Sequence, residues 1–167
     1  METHDPIAAE FLHYNRWANL KLIDACSSLT PEQLDGSVPG SYGSIYDTLV
    51  HIIRAEASYY RRLTNTRLVP TFAWEDRPLL TAIRPYAEQV GGALLEATGR
   101  MSGAGLIVEE WQGQKLRYQP VALLIQLVNH GVEHRTNITT ILAQQGIQAP
   151  AIDGWGYMLS HPDRLGS

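Results

Sequence analysis

The stretch "LVNHGVEHRTNITTIL", residues 127–142, decides how this chain is read. It lies inside a long helical pattern that starts after Pro120 and stops at Gly146, a glycine suited to the C′ position behind "ILAQQ". His130 and His134 stand four apart, so on a helix they share one face, about 40° apart around the axis and about 6 Å along it. Two imidazoles placed that way can bring their nitrogens to one ion at about 2.1 Å. The spacing alone is a weak signal, because six histidines in 167 residues often meet it by chance. Gly131 follows His130 where the zinc-protease signature HExxH would need Glu, which removes that reading.

Working outward, three other segments carry apolar residues at helical spacing. The first runs from Asp5 to about Ser28, with Asp5 and Pro6 resembling an N-cap followed by a first-turn proline. The loop "TPEQLDGSVPGSYGS" has turn composition and one short helical turn at its start. The second helix runs from Ser44 to about Asn65, and Ser44 with Asp47 approximates a capping box. The third is expected from about Pro78 to Met101. Gly91 and Gly92 lie within it, which calls for a kink or close packing. Before the last helix, "LIVEEWQGQKLRYQP" reads as two short strands about a turn at Gln112-Gly113-Gln114. Four long helices with one apolar face each close most simply as an all-α four-helix bundle, one domain over residues 1–167, with a small hairpin before the final helix.

Composition narrows the function. Apolar residues make up 44% and charged residues 18%, as in a soluble globular chain. A formal net charge of -4 with no basic run disfavours nucleic acid as a partner. Nothing approaches the roughly 20 apolar residues of a membrane span, and the N-terminus lacks a signal-peptide pattern, so a cytoplasmic location without a membrane partner is expected. Cys26, the single cysteine, fits a reducing compartment and reads as a small buried hydrophobe rather than a nucleophile.

A chelating pair needs a third donor from another element. His51 is the natural candidate: it sits midway along the second helix in "TLVHIIRAE", with the small residues Thr48 and Ala55 beside it on the helical wheel. The alternative for His51 is a hydrogen-bonded core histidine. Three mid-helix imidazoles in a bundle interior each need a polar partner, and one divalent ion would accept all three lone pairs together. His4, His13 and His161 lie near an end or an exposed segment, where solvated roles are expected.

The order of three segments gives a resemblance. "HYNRWANLKLIDA" (13–25), "GSIYDTLVHIIRAEASYYRRL" (43–63) and "LVNHGVEHRTNITTILAQQG" (127–146) resemble the first, second and fourth helices of the DinB/YfiT-like metalloenzymes, over nearly the whole chain. The resemblance implies a four-helix bundle, a homodimer, and a divalent metal held by His51, His130 and His134. It also implies chemistry like that of thiol-dependent transferases or isomerases that use a low-molecular-weight thiol. Many relatives read His-His-Arg-Gly-Gln at the last ligand, whereas Glu133-His134-Arg135-Thr136-Asn137 stands here, so the surroundings of the ligands are not carried over.

Three neutral imidazoles leave a divalent ion charged and open to further ligands, the pattern of catalytic rather than closed sites. Zinc and nickel suit such donors, as does iron(II), while magnesium and calcium prefer oxygen. The expected function is a metal-dependent enzyme on a small-molecule substrate. A metal-dependent hydrolase and a non-enzymatic metal- or ligand-binding bundle are the alternatives. No catalytic residue and no organic cofactor site is assigned. Asp47 competes between capping and supporting His51, and Glu133 reads as solvated. Tyr14, Trp17 and Asn19 read as packing residues. Trp74, Trp111 and Trp155 lie in or near non-helical segments that could roof a site.

Overall fold

Side-chain caps fix the starts of some helices in this chain, whereas others begin without one and end on backbone turns. In the computed structural model, which describes residues 6–101 and 105–165, helix α1 spans Pro6–Cys26 and a single turn α2 spans Pro31–Leu34. Thr30 and Gln33 form a full capping box around α2. Helix α3 covers Ile45–Thr64. At its start the Asp47 N–H donates to Ser44 Oγ at 3.1 Å while that hydroxyl donates to Asp47 Oδ2 at 2.7 Å. The carboxylate accepts from the hydroxyl and not from the Ser44 backbone N–H, so the pair only approximates a capping box. Asn65, in the left-handed region at φ 58°, closes the other end.

The third long helix differs from the sequence expectation. A 3-10 turn occupies Trp74–Asp76; helix α4 then spans Leu80–Glu96, and a separate turn α5 spans Thr98–Met101. The pattern breaks at Ala97, where the Thr98 hydroxyl donates to the Leu95 carbonyl and competes with the helix for it. Helix α4 runs through the two glycines without a break. Gly91 instead gives room: a Cβ there would stand 2.7 Å from Arg16 Cγ, so α1 and α4 pack more closely than side chains would allow.

Strands β1 (Ile107–Trp111) and β2 (Gln114–Tyr118) pair antiparallel, with Ile107 opposite Tyr118 and Trp111 opposite Gln114. Gln112 and Gly113 both have positive φ, the requirement of a tight two-residue hairpin turn. Helix α6 runs Val121–Gln144. Its end is a Schellman motif: the Ile147 N–H reaches the Leu142 carbonyl, the Gly146 N–H reaches Ala143, and Gly146 takes φ 72°. Short helices α7 (Gly154–Ser160) and α8 (Pro162–Leu165) follow. Asp5 and its expected cap lie outside the described residues.

Contacts run α1 to α4, α4 to α3, α3 to α6 and α6 back to α1, which closes a four-helix ring with the hairpin beside it. The all-α bundle expected from the apolar stripes is therefore the fold. Leu22, Ile23, Ile52, Ile83, Leu127 and Ile138 are fully buried in a continuous core. Each such side chain contributes about 1.5–3 kcal/mol on burial. Among the described residues no helix is long and apolar enough to cross a membrane.

Candidate metal centre

The core is not wholly apolar where α3 faces α6. Helix α3 carries His51 towards α6, and α6 presents His130 and His134 one turn apart on the matching face. The ring centroids lie 4.9 Å apart for His51 and His130, 4.7 Å for His51 and His134, and 4.3 Å for His130 and His134. Each ring offers one nitrogen within 4.8 Å of the other two. His51 Nε2 and His130 Nε2 are 2.9 Å apart. His134 is 7% exposed, and the other two rings are half-buried.

Two observations test whether a cation fits there. First, the rings are neutral at ordinary pH. Burial, with the neighbouring imidazoles, holds His130 down to about 4; burial, His134 and Arg54 lower His51; burial lowers His134 against a small opposing effect of Glu133. Neutral imidazole is the form that offers a lone pair to a metal. Second, one pair of rings can share a proton between Nε2 atoms, but the buried Nδ1 of His134 has no hydrogen-bond partner among the described residues. A buried polar atom left this way costs free energy unless a ligand or water meets it. The three-His group could hold one metal ion, and the donor set fits a borderline ion such as zinc, nickel or iron(II).

One flank of the cluster is shielded and the other is open. Tyr42, in the loop before α3, stacks on His51 at 4.1 Å and 24°, and meets His134 edge-on at 4.9 Å. The loop is fixed to α6, because the Tyr42 N–H donates to Asn137 Oδ1 at 2.8 Å and Asn137 Nδ2 donates to the Glu133 carbonyl. Beside it a cleft of about 600 Å³, bordered by Tyr42, Asp47, His51 and Arg54, leads from solvent to His51. A small molecule has room to approach.

Behind the imidazoles lies a buried polar network. Glu56, on α3, and Arg135, next to His134 on α6, are each 2% exposed. They are joined through two amides of α1. Asn15 Nδ2 and Asn19 Nδ2 each donate to Glu56 Oε1 at 2.7 Å, and Arg135 Nη1 donates to Asn15 Oδ1 at 2.8 Å and to Asn19 Oδ1 at 2.7 Å. Burial pushes the Glu56 carboxyl up, opposed by the two amide donors and by Arg135, while burial lowers Arg135. Acid and base are thus joined through the amides rather than by a direct bond. The network ties α1 to both helices that bear imidazoles.

The structure places the other residues singled out from sequence as follows. Asp47 caps α3 and borders the cleft. Glu133 is exposed. Tyr14 donates to the Ile152 carbonyl, Trp17 packs against Tyr157 and His161, and Asn19 belongs to the buried network, all packing roles as expected. Trp74 lines a different cavity, while Trp111 and Trp155 are exposed on the hairpin and α7. Tyr42, not a tryptophan, covers the imidazoles. His13 and His161 flank Trp17 in a separate shallow pocket, and His4 lies outside the described residues. Cys26 is buried, and its thiol is pushed up to about 12 by burial, which makes it inert at neutral pH.

Sequence reasoning overlooked Tyr42, Arg54 and Glu56. Glu56 carried a usable signal: it falls about 140° from His51 on the helical wheel, on the core side with Ile52 and Ile53, where a carboxylate must find a partner.

No curated protein matches the chain. The sequence model of the DinB family, however, matches residues 1–165, nearly the whole length. With the helical bundle and the three clustered imidazoles already in place, that match shows that the chain belongs to the DinB family.

Proposed function

We propose that this protein is a metal-dependent enzyme acting on a small molecule, with His51, His130 and His134 as the ligands of a single divalent cation, zinc or nickel foremost and iron(II) next. The observation that carries the reading is the meeting of three neutral imidazoles from two helices beside an open cleft. A cation bound there supplies Lewis acidity, able to hold a low-molecular-weight thiol as its thiolate or to lower the pKa of water.

The protein's own groups prepare that chemistry. The rings stay unprotonated at neutral pH, so no proton has to leave them before they coordinate. Tyr42 keeps solvent off one face of His51 and leaves the cleft side for the substrate. The amide-bridged Glu56 and Arg135 hold α3 against α6, which fixes the separation of the ligands. Arg54, at the mouth, places a positive charge next to His51 where an anionic nucleophile would approach. With only three protein donors in the cluster among the described residues, coordination positions remain for thiol and substrate. Thiol transfer to an electrophilic carbon is the favoured reaction.

Elemental analysis of purified wild type, His51→Ala and His134→Ala is the test. Wild type should carry about one ion per chain, in keeping with one three-donor site, and both variants should lose it while remaining folded. Equal occupancy in all three would overturn the assignment. On the loaded protein, metal-dependent consumption of thiol with a generic electrophile supports transfer, whereas cleavage of esters without thiol would move the assignment to hydrolysis.

A further inference from the structure

Beyond Arg54, helix α3 turns a second functional-looking face to solvent. Arg54, Ser58 and Arg61 follow one another at helical spacing, with the small Ala57 between. They form one side of a cavity of about 440 Å³ whose other side is Arg67, Trp74 and Tyr86. The far wall is built rather than loose. Tyr86 donates its hydroxyl to the Leu68 carbonyl at 3.1 Å, and Trp74 packs edge-on to Phe72 at 4.8 Å and to Tyr86 at 5.9 Å. The Arg54 guanidinium lies 5.7 Å from the Trp74 ring centre.

The charges here are one-sided. Arg16, Arg62, Arg77 and Arg84 each pair with a carboxylate, but among the described residues Arg54, Arg61 and Arg67 do not. No acid lines the cavity, although the chain as a whole carries a formal charge of -4. Three arginines lining one cavity without counter-charge raise its positive potential, and an anion held there is favoured through charge-assisted hydrogen bonds. Arg54 also borders the cleft at His51, so the two spaces adjoin. Along α3, His51 and Arg61 are ten residues apart, about 15 Å, which a small molecule of peptide-like length can span.

We propose that the arginine-lined cavity seats the anionic end, carboxylate or phosphate, of the small molecule whose reactive end reaches the imidazole cluster past Arg54. Where the reactive end goes rests on the metal-enzyme reading above; the anion site itself does not. The same site separates substrates by charge: a neutral analogue would lose the anchor while keeping access to the metal centre.

The test uses full-length protein stripped of metal, titrated calorimetrically at low ionic strength with succinate and with pyrophosphate, against sodium chloride at matched ionic strength. One saturable site is expected for at least one probe, weakened by salt, and the preferred probe tells carboxylate from phosphate. Arg61→Ala and Arg67→Ala, both at exposed positions, should each weaken binding by about tenfold, the size expected for loss of a charged hydrogen bond. Arg61→Glu should abolish it, and melting curves establish that the variants are folded. His51→Ala should bind the anions as wild type does. Absence of binding beyond the chloride control, or unchanged affinity in the arginine variants, or loss of affinity in His51→Ala, would overturn the proposal. Metal content measured on the same variants keeps the two readings apart: the arginine variants should retain the ion and the histidine variant should not.

Discussion

Asn15 occupies the space that a side chain at Gly131 would need: a Cβ at position 131 would stand 2.6 Å from Asn15 Oδ1 and 2.7 Å from Arg135 Nη1. The residue that separates this chain from the HExxH pattern is therefore a steric requirement of the buried network. Gly131→Ala should gain about 1 kcal/mol of helix propensity and lose about 1–3 kcal/mol through overpacking. A net loss of stability in urea denaturation is expected, with weaker metal retention because His130 is the adjacent residue. An alanine variant as stable as wild type would show that the network has slack.

Arg135 and Glu56 should behave as one unit. Arg135→Met removes both bonds to the α1 amides and leaves Glu56 buried without its counter-charge, which should cost about 3–5 kcal/mol. Adding Glu56→Gln to that variant should cost much less than Glu56→Gln alone, as a double-mutant cycle in urea would show. Additive losses would mean that the amides do not couple the two charges.

Tyr42 is 54% exposed, so Tyr42→Ala should alter stability by no more than about 0.5 kcal/mol. Its stacking on His51 predicts an effect on the rate of ion release instead. Transfer of the bound ion to a coloured chelator should be faster in the alanine variant and nearly unchanged in Tyr42→Phe, which keeps the ring. Equal transfer rates in all three proteins would remove Tyr42 as a shield.

Acid should act on the imidazoles with a definite sign. All three have folded pKa values below the ordinary 6.5, His130 down to about 4. Between those limits the unfolded chain binds more protons than the folded one, so stability rises with pH across the window. The metal-free protein should therefore lose stability as pH falls from about 6.5 to 4, and His130→Gln should flatten that dependence. In the loaded protein the same protons compete with the ion, and release on acidification should be visible by dialysis and elemental analysis. At neutral pH, free metal at 100 times its Kd should raise stability by about 2.7 kcal/mol.

The imidazole triad was legible because its members obey simple rules: two on one helical face, one alone amid an apolar stripe. The caps at Ser44 and Gly146 and the hairpin at Gln112-Gly113 were legible for the same kind of reason, since each depends on a few neighbouring residues. Tyr42 was not, because an irregular loop has no periodicity, and its place depends on a bond to Asn137, 95 positions away. The end of α4 was drawn too late, since Thr98 to Met101 does form a helical turn but an offset one, broken at Ala97. Arg54, Arg61 and Arg67 read as ordinary solvated cations until the segment carrying Trp74 folds back to make a wall opposite α3.

Helix α1 contributes no imidazole to the cluster, yet its two carboxamides span the gap between the helix bearing His51 and the helix bearing His130 and His134. It works as a gauge block that fixes the spacing of the three imidazoles. Lengthening or shortening either carboxamide by a methylene would then change which ionic radius the triad prefers, and a lesion remote from the imidazoles would be read out as an altered choice of element.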